Sequence, residues 1–181
     1  MTRYAVLLRG VNVGGRNKVP MATLRDLLEK AGCLDVTTYL QSGNAVVTSR
    51  RAEARVASDV AAAVDRALGL VIDVVVRSGA ELADVEASNP FARGDADPGR
   101  QLLVAFCRDL PSPDGLVGID PKRAAPDELF VRGREIYLLC PDGFGNSKVL
   151  SGVERRLGTP ITVRNWRTVT ELAARCSSTG G

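Results

Sequence analysis

The chain reads as an α+β protein made of two ferredoxin-like halves, each a βαββαβ unit with a trailing helix. Three observations predict this. Apolar runs such as Ala5-Val6-Leu7-Leu8 and Leu102-Leu103-Val104-Ala105-Phe106 are strand-sized. They alternate with stretches of helical periodicity in the order strand, helix, strand, strand, helix, strand, helix. The same order returns after a break at 89–99 that is rich in Pro, Gly and Asp and has no periodicity. The expected domains are therefore an N-terminal half at 1–90 and a C-terminal half at 91–181. A duplication is inferred from element order, without a residue-level repeat.

Taken in order, residues 3–11 form an apolar strand. A helix over 20–31 places Met21, Leu24, Leu27, Leu28 and Ala31 on one face and Arg25, Asp26, Glu29 and Lys30 on the other. Val36 to Gln41 and Asn44 to Ser49 alternate around Ser42-Gly43-Asn44, which reads as a hairpin. Ala52 to Leu68 carries Val56, Val60, Ala63, Val64, Ala67 and Leu68 at helical spacing, and Val71 to Arg77 is a β-branched strand. Ser78-Gly79-Ala80-Glu81 is a capping box that opens the next helix. In the second half the reading gives a strand at 101–107, a short helix or turn near 112–118, and a hairpin at 128–139 around Gly133-Arg134. It continues with a helix at 147–157, pointing Val149, Leu150, Val153 and Leu157 inward, and a strand at 161–164. Thr168, with Glu171 three residues on, opens the terminal helix.

Composition excludes more than it assigns. The 181 residues are 45% hydrophobic, enough for one ordinary core or two small ones. No apolar run approaches the length of a membrane span, and no signal peptide is read at the N-terminus, so a cytoplasmic location and no membrane partner are expected. There is no histidine, which removes Ser-His-Asp and Cys-His catalysis within one chain, the usual zinc sites and the commonest general base. Cys33, Cys107, Cys140 and Cys176 are widely spaced and read as buried thiols; no metal and no cofactor is signalled. The net charge of +3 is too small to signal nucleic acid by itself.

What remains is a set of donor-rich, acid-poor motifs. From Arg3 to Arg25 there are five basic residues and no acid, and from Asn146 to Thr168 five basic residues and only Glu154. Gly10 to Gly15 has the spacing of a phosphate-binding loop. However, Arg16-Asn17 stands where that motif needs Lys and then Ser or Thr, and the helix begins several residues late. The looser reading is a glycine turn that offers backbone N–H groups to an anion beside Arg9, Arg16 and Lys18. Gln41-Ser42-Gly43-Asn44 reads as a turn whose side chains add amide recognition if the first loop lies beside it. Asp142 to Lys148 is a glycine-hinged loop, and Arg164-Asn165-Trp166-Arg167 contains the only tryptophan between two arginines suited to phosphate or carboxylate. The candidate ligand-binding residues are Arg9, Asn12, Gly14, Gly15, Asn17, Lys18, Gln41, Ser42, Asn44, Ser147, Lys148, Arg164, Asn165, Trp166 and Arg167.

Several of these motifs carry a family resemblance. Leu7-Leu8-Arg9-Gly10-Val11-Asn12-Val13-Gly14-Gly15-Arg16-Asn17-Lys18-Val19-Pro20-Met21, Tyr39-Leu40-Gln41-Ser42-Gly43-Asn44, Asn89-Pro90-Phe91, Ser147-Lys148 and Arg164-Asn165-Trp166-Arg167-Thr168 resemble the signatures of the bacterial domain of unknown function 1697 family. The resemblance runs from about residue 3 to about residue 176 and implies two ferredoxin-like halves. It brings no activity, substrate or cofactor. At Asn146 the chain departs from the pattern, which often has Arg there, and this weakens a purely charge-based role for that loop.

Three functional readings follow from the residues. The first is a binding module for a small anionic or phosphorylated ligand in a cleft between the halves, with nucleic acid as a weaker partner. RNA-binding ferredoxin-like sheets use aromatics on their central strands, and here the first strand offers only Tyr4. The second is a phosphoester-directed enzyme, for which Asp142, Ser42, Ser147 and Lys148 are the only candidate bases or nucleophiles. The third is a structural or interaction protein whose motifs hold the two halves together, with Asn, Gly and Arg satisfying buried carbonyls at the junction. Oligomeric state stays open.

Overall fold

The computed structural model describes residues 1–93, 97–117, 125–147, 150 and 153–178. They form two four-stranded antiparallel sheets with helices, an α+β architecture in which both sheets share one topology. The chain divides into two compact units, one from Met1–Asp84 with Glu171–Gly181 and the other from Val85–Thr170.

In the first unit the elements run β1 (Thr2–Leu8), α1 (Met21–Lys30), β2 (Leu34–Tyr39), β3 (Asn44–Ser49), α2 (Glu53–Leu68) and β4 (Val74–Ser78), followed by the start of α3 (Gly79–Ser88). The sheet order β2-β3-β1-β4 is that of a ferredoxin-like unit. Its core joins Val6, Leu8, Ala45, Val47 and Val76 of the sheet to Leu24 and Leu28 of α1 and to Val56, Val60 and Val64 of α2. The helical spacing of these residues aligns them on one face, and each leucine buried there contributes about 2 kcal/mol. The helix α2 ends where Gly69 takes φ +66° and its N–H bonds to the Asp65 carbonyl at 2.7 Å, a left-handed cap that only glycine adopts without strain.

In the second unit β5 (Leu102–Cys107), α4 (Pro113–Val117), β6 (Glu128–Arg132), β7 (Glu135–Leu139), α5 (Val153–Leu157) and β8 (Ile161–Asn165) repeat the plan with order β6-β7-β5-β8. Leu103, Ala105, Ile136, Leu138 and Ile161 pack against Val153 and Leu157. The terminal helix α6 spans Trp166–Ser177.

Several expected boundaries move. The first strand ends at Leu8 because Gly10, at φ +65°, turns the chain. The strand expected from Val71 begins at Val74, and Val71 is 89% exposed. The helix expected at 147–157 is confined, among the described residues, to Val153–Leu157, with a 3₁₀ turn at Phe144–Asn146 ahead of it; Val149 lies outside the described residues. The terminal helix opens two residues before Thr168. Asn165 is its cap, with Oδ1 accepting the Thr168 N–H at 2.9 Å, while Glu171 accepts from Arg175 Nε at 2.7 Å instead of closing a box. The Ser78 capping box does form, with Glu81 accepting from Ser78 N–H at 2.8 Å and Ser78 Oγ accepting from Glu81 N–H at 3.2 Å.

Register also exposes a repeat that spacing alone hid. Ala5 pairs with Arg77 and Val104 with Arg164; Tyr4 pairs with Ser78 and Leu103 with Asn165. Val76-Arg77-Ser78 and Val163-Arg164-Asn165 are thus equivalent, and each arginine donates from Nη1 to the carbonyl of the residue before it, at 2.8 Å and 2.9 Å.

Candidate functional site

The first unit gathers the N-terminal motifs into one loop cluster. Asn12 sits at φ +57° and donates from Nδ2 to the Val19 carbonyl (2.9 Å) and the Gln41 carbonyl (2.6 Å), while Oδ1 accepts the Val19 N–H at 2.8 Å. Asn17 donates to the Gly10 carbonyl at 3.1 Å. Between them Gly14 and Gly15 take φ +57° and +76°, and Arg16 N–H bonds to the Val13 carbonyl at 3.0 Å, closing a two-residue turn. The loop therefore lies beside the 41–44 turn. A side chain at Gly43 would run into Val11 Cγ2, so glycine is what allows the close approach there. Asn44 is buried and donates to the Tyr39 carbonyl and to Ser42 Oγ, at 3.1 and 2.9 Å.

Three candidate amides, Asn12, Asn17 and Asn44, thus brace the backbone. Arg9 makes a 3.4 Å ion pair with Asp73. The side chains turned outward are Arg16, Lys18 and Gln41, all exposed.

The second unit holds a hollow of about 420 Å³ lined by Gly99, Arg100, Leu103, Asp142, Gly143, Phe144, Gly145, Asn146, Val163 and Asn165. It forms because the turn before β5, the loop after β7 and the end of β8 meet at one end of the sheet. Cys140 N–H bonds to the Gln101 carbonyl at 2.8 Å, Gln101 Nε2 donates to the Pro141 carbonyl at 2.6 Å, and Arg167 N–H bonds to the Pro98 carbonyl at 3.1 Å. Two motifs far apart in sequence, around Asn146 and Asn165, are brought to the same walls. Arg167 stands beside them, its Nη2 4.0 Å from Asp97 Oδ1.

The remaining candidates lie around the hollow but do not line it. Ser147 Oγ donates to Asp127 Oδ2 at 2.7 Å. Trp166 is buried at the start of α6. Arg164 is interior, donating to Thr162 Oγ1 at 2.8 Å and to the Val163 carbonyl, and burial lowers its pKa to about 10. Lys148 lies outside the described residues. Arg100 falls between the break at 89–99 and the strand expected at 101–107, and no sequence motif marks it. Asp142 was picked out only as a candidate base.

The cysteines are all free and buried. Burial pushes the Cys140 and Cys176 thiols up to about 11 and raises Cys33 as well, so none of these three is a thiolate near neutrality. Among the described residues no group of three or more carboxylates or thiols is placed to hold a metal, and no helix is long and apolar enough to cross a membrane.

Two antiparallel sheets of βαββαβ plan, the second with a hollow of mixed lining at one end, define an α+β protein of two ferredoxin-like halves. The family model described as "Protein of unknown function (DUF1697)" matches residues 1–137, and the chain belongs to that family. Its fold is similar to that of the conserved bacterial protein SP0830 from Streptococcus pneumoniae, with a TM-score of 0.77 and 23% identity, over 97% of this chain and 99% of that one. No curated protein matches the chain.

Proposed function

We propose that this protein binds a small anionic or phosphorylated molecule, seated in the hollow of the second unit. The observation that carries the reading is Arg100, an exposed guanidinium without an ion-pair partner among the described residues, at the wall of a 420 Å³ hollow it shares with the amides of Asn146 and Asn165. Arg167 at the edge adds a second cation, already drawn toward Asp97. In the first unit, Arg16 and Lys18 on the braced glycine turn are suited to capture of the same class of ligand. Four free thiols suit a reducing compartment, which supports a cytoplasmic location.

A thermal-shift screen against phosphosugars, nucleotides and carboxylates at fixed salt tests this. A ligand at 100 times its Kd stabilises by about 2.7 kcal/mol, a shift of several degrees. Arg100→Ala is expected to abolish the shift while keeping the unliganded Tm. An unchanged shift in that variant removes the hollow from the reading.

An enzymatic reading draws on one contact, Ser147 Oγ donating to Asp127 at 2.7 Å. It predicts that Ser147→Ala abolishes a phosphoester-directed activity. Background turnover by the folded wild type counts against it.

A further inference from the structure

The orientation of the polar groups in the hollow narrows the class of ligand, and this step rests on the anion-binding reading above. Each amide is oriented by one bond to the backbone. Asn165 commits Oδ1 to the Thr168 N–H, so its Nδ2 is the end left to a ligand, and that end is a donor. Asn146 commits Nδ2 to the Asp142 carbonyl at 3.0 Å, so its Oδ1 is left, and that end is an acceptor.

The charges follow the same division. Arg100 and Asp142 line this hollow and also an adjoining one of about 360 Å³, yet no ion pair joins them. The walls therefore carry a donor pair, Arg100 and Asn165 Nδ2, and an acceptor pair, Asp142 and Asn146 Oδ1. The other side chains of the lining are apolar, Leu103, Val163 and the half-buried Phe144, with three glycines among them.

A simple anion satisfies the donors and leaves Asp142 facing a charge of its own sign. A ligand with a carboxylate at one end and an ammonium beside it satisfies both pairs. We infer that the hollow takes a zwitterion of the α-amino-acid class, its carboxylate on Arg100 and Asn165, its ammonium on Asp142 and Asn146, and its side chain against the apolar wall.

The test titrates the full chain with three matched probes and inorganic phosphate, read by calorimetry. The probes are L-leucine, 4-methylpentanoate, which lacks the ammonium, and 3-methylbutylamine, which lacks the carboxylate. Leucine is expected to bind about tenfold more tightly than 4-methylpentanoate, the value of one charge-assisted hydrogen bond. Asp142→Asn, a change at an exposed loop position, should erase that advantage by weakening leucine alone, and Arg100→Ala should weaken both carboxylates. Equal binding of leucine and 4-methylpentanoate, or an advantage that survives Asp142→Asn, overturns the zwitterion while leaving an anion site. Phosphate binding that depends on Arg100, with leucine silent, does the same. No binding by any probe or by phosphate overturns both readings.

Discussion

Asn12 holds three backbone groups at once, and its place at φ +57° is one that asparagine tolerates better than most residues. Removing its side chain leaves those groups without their partners, so Asn12→Ala is expected to cost about 2–3 kcal/mol in urea unfolding. Arg16→Ala, four residues on and exposed, should stay within about 0.5 kcal/mol. The contrast separates the residues that build the loop from those it presents. The buried thiols give a second prediction at this scale. Burial holds the Cys140 and Cys176 thiols at about 11, above the ordinary thiol value of 9.0, so the folded state keeps these protons longer than the unfolded chain. The stability they contribute is complete below pH 9 and is lost as pH rises through 11. Chemical unfolding at pH 7, 9 and 10.5 is expected to show a falling free energy over the last interval, with the fall reduced in Cys140→Ala.

Among the elements, α6 is the most direct test of how its start is set. Asn165 caps the helix and also lines the hollow, so the two duties can be separated by substitution. Asn165→Ala should cost about 1 kcal/mol of stability, whereas Asn165→Asp keeps the capping acceptor and replaces the amide donor by a carboxylate. Melting of Asn165→Asp close to wild type, together with lost anion binding, is the expected pair of results. At the hairpin between β2 and β3, Gly43→Ala brings Cβ into Val11 at a positive φ of 73°. It should destabilise by more than about 1 kcal/mol, which denaturant midpoints will show.

At the scale of the whole molecule, much of the architecture was legible because it rests on local period. The face of α1 carrying Leu24 and Leu28, the face of α2 carrying Val56 and Val60, and the β-branched residues of β4 all follow from spacing, and with them the order of elements. Boundaries set by one backbone angle or one cap were not legible in this way, as Gly10 and Asn165 show. The candidate site divided along similar lines. Asn165 reaches the hollow, and so does the Asp142 to Lys148 loop through Asp142 and Asn146, but Arg100 sits between the 89–99 break and the next strand, and only pairing with the loop after β7 gives it a wall to stand in. Arg164 looked like a surface cation because its burial depends on its place in the sheet beside Val104, which no local window contains. Arg164→Ala is accordingly expected to act on stability, by about 2–4 kcal/mol, with Arg164→Lys a partial rescue.

Arg77 and Arg164 occupy one register position in two sheets and turn to the same kind of carbonyl. Both are buried, and each stands one residue before a helix cap, Ser78 at the start of α3 and Asn165 at the start of α6, so in both units an interior cation sits at the junction where strand gives way to helix.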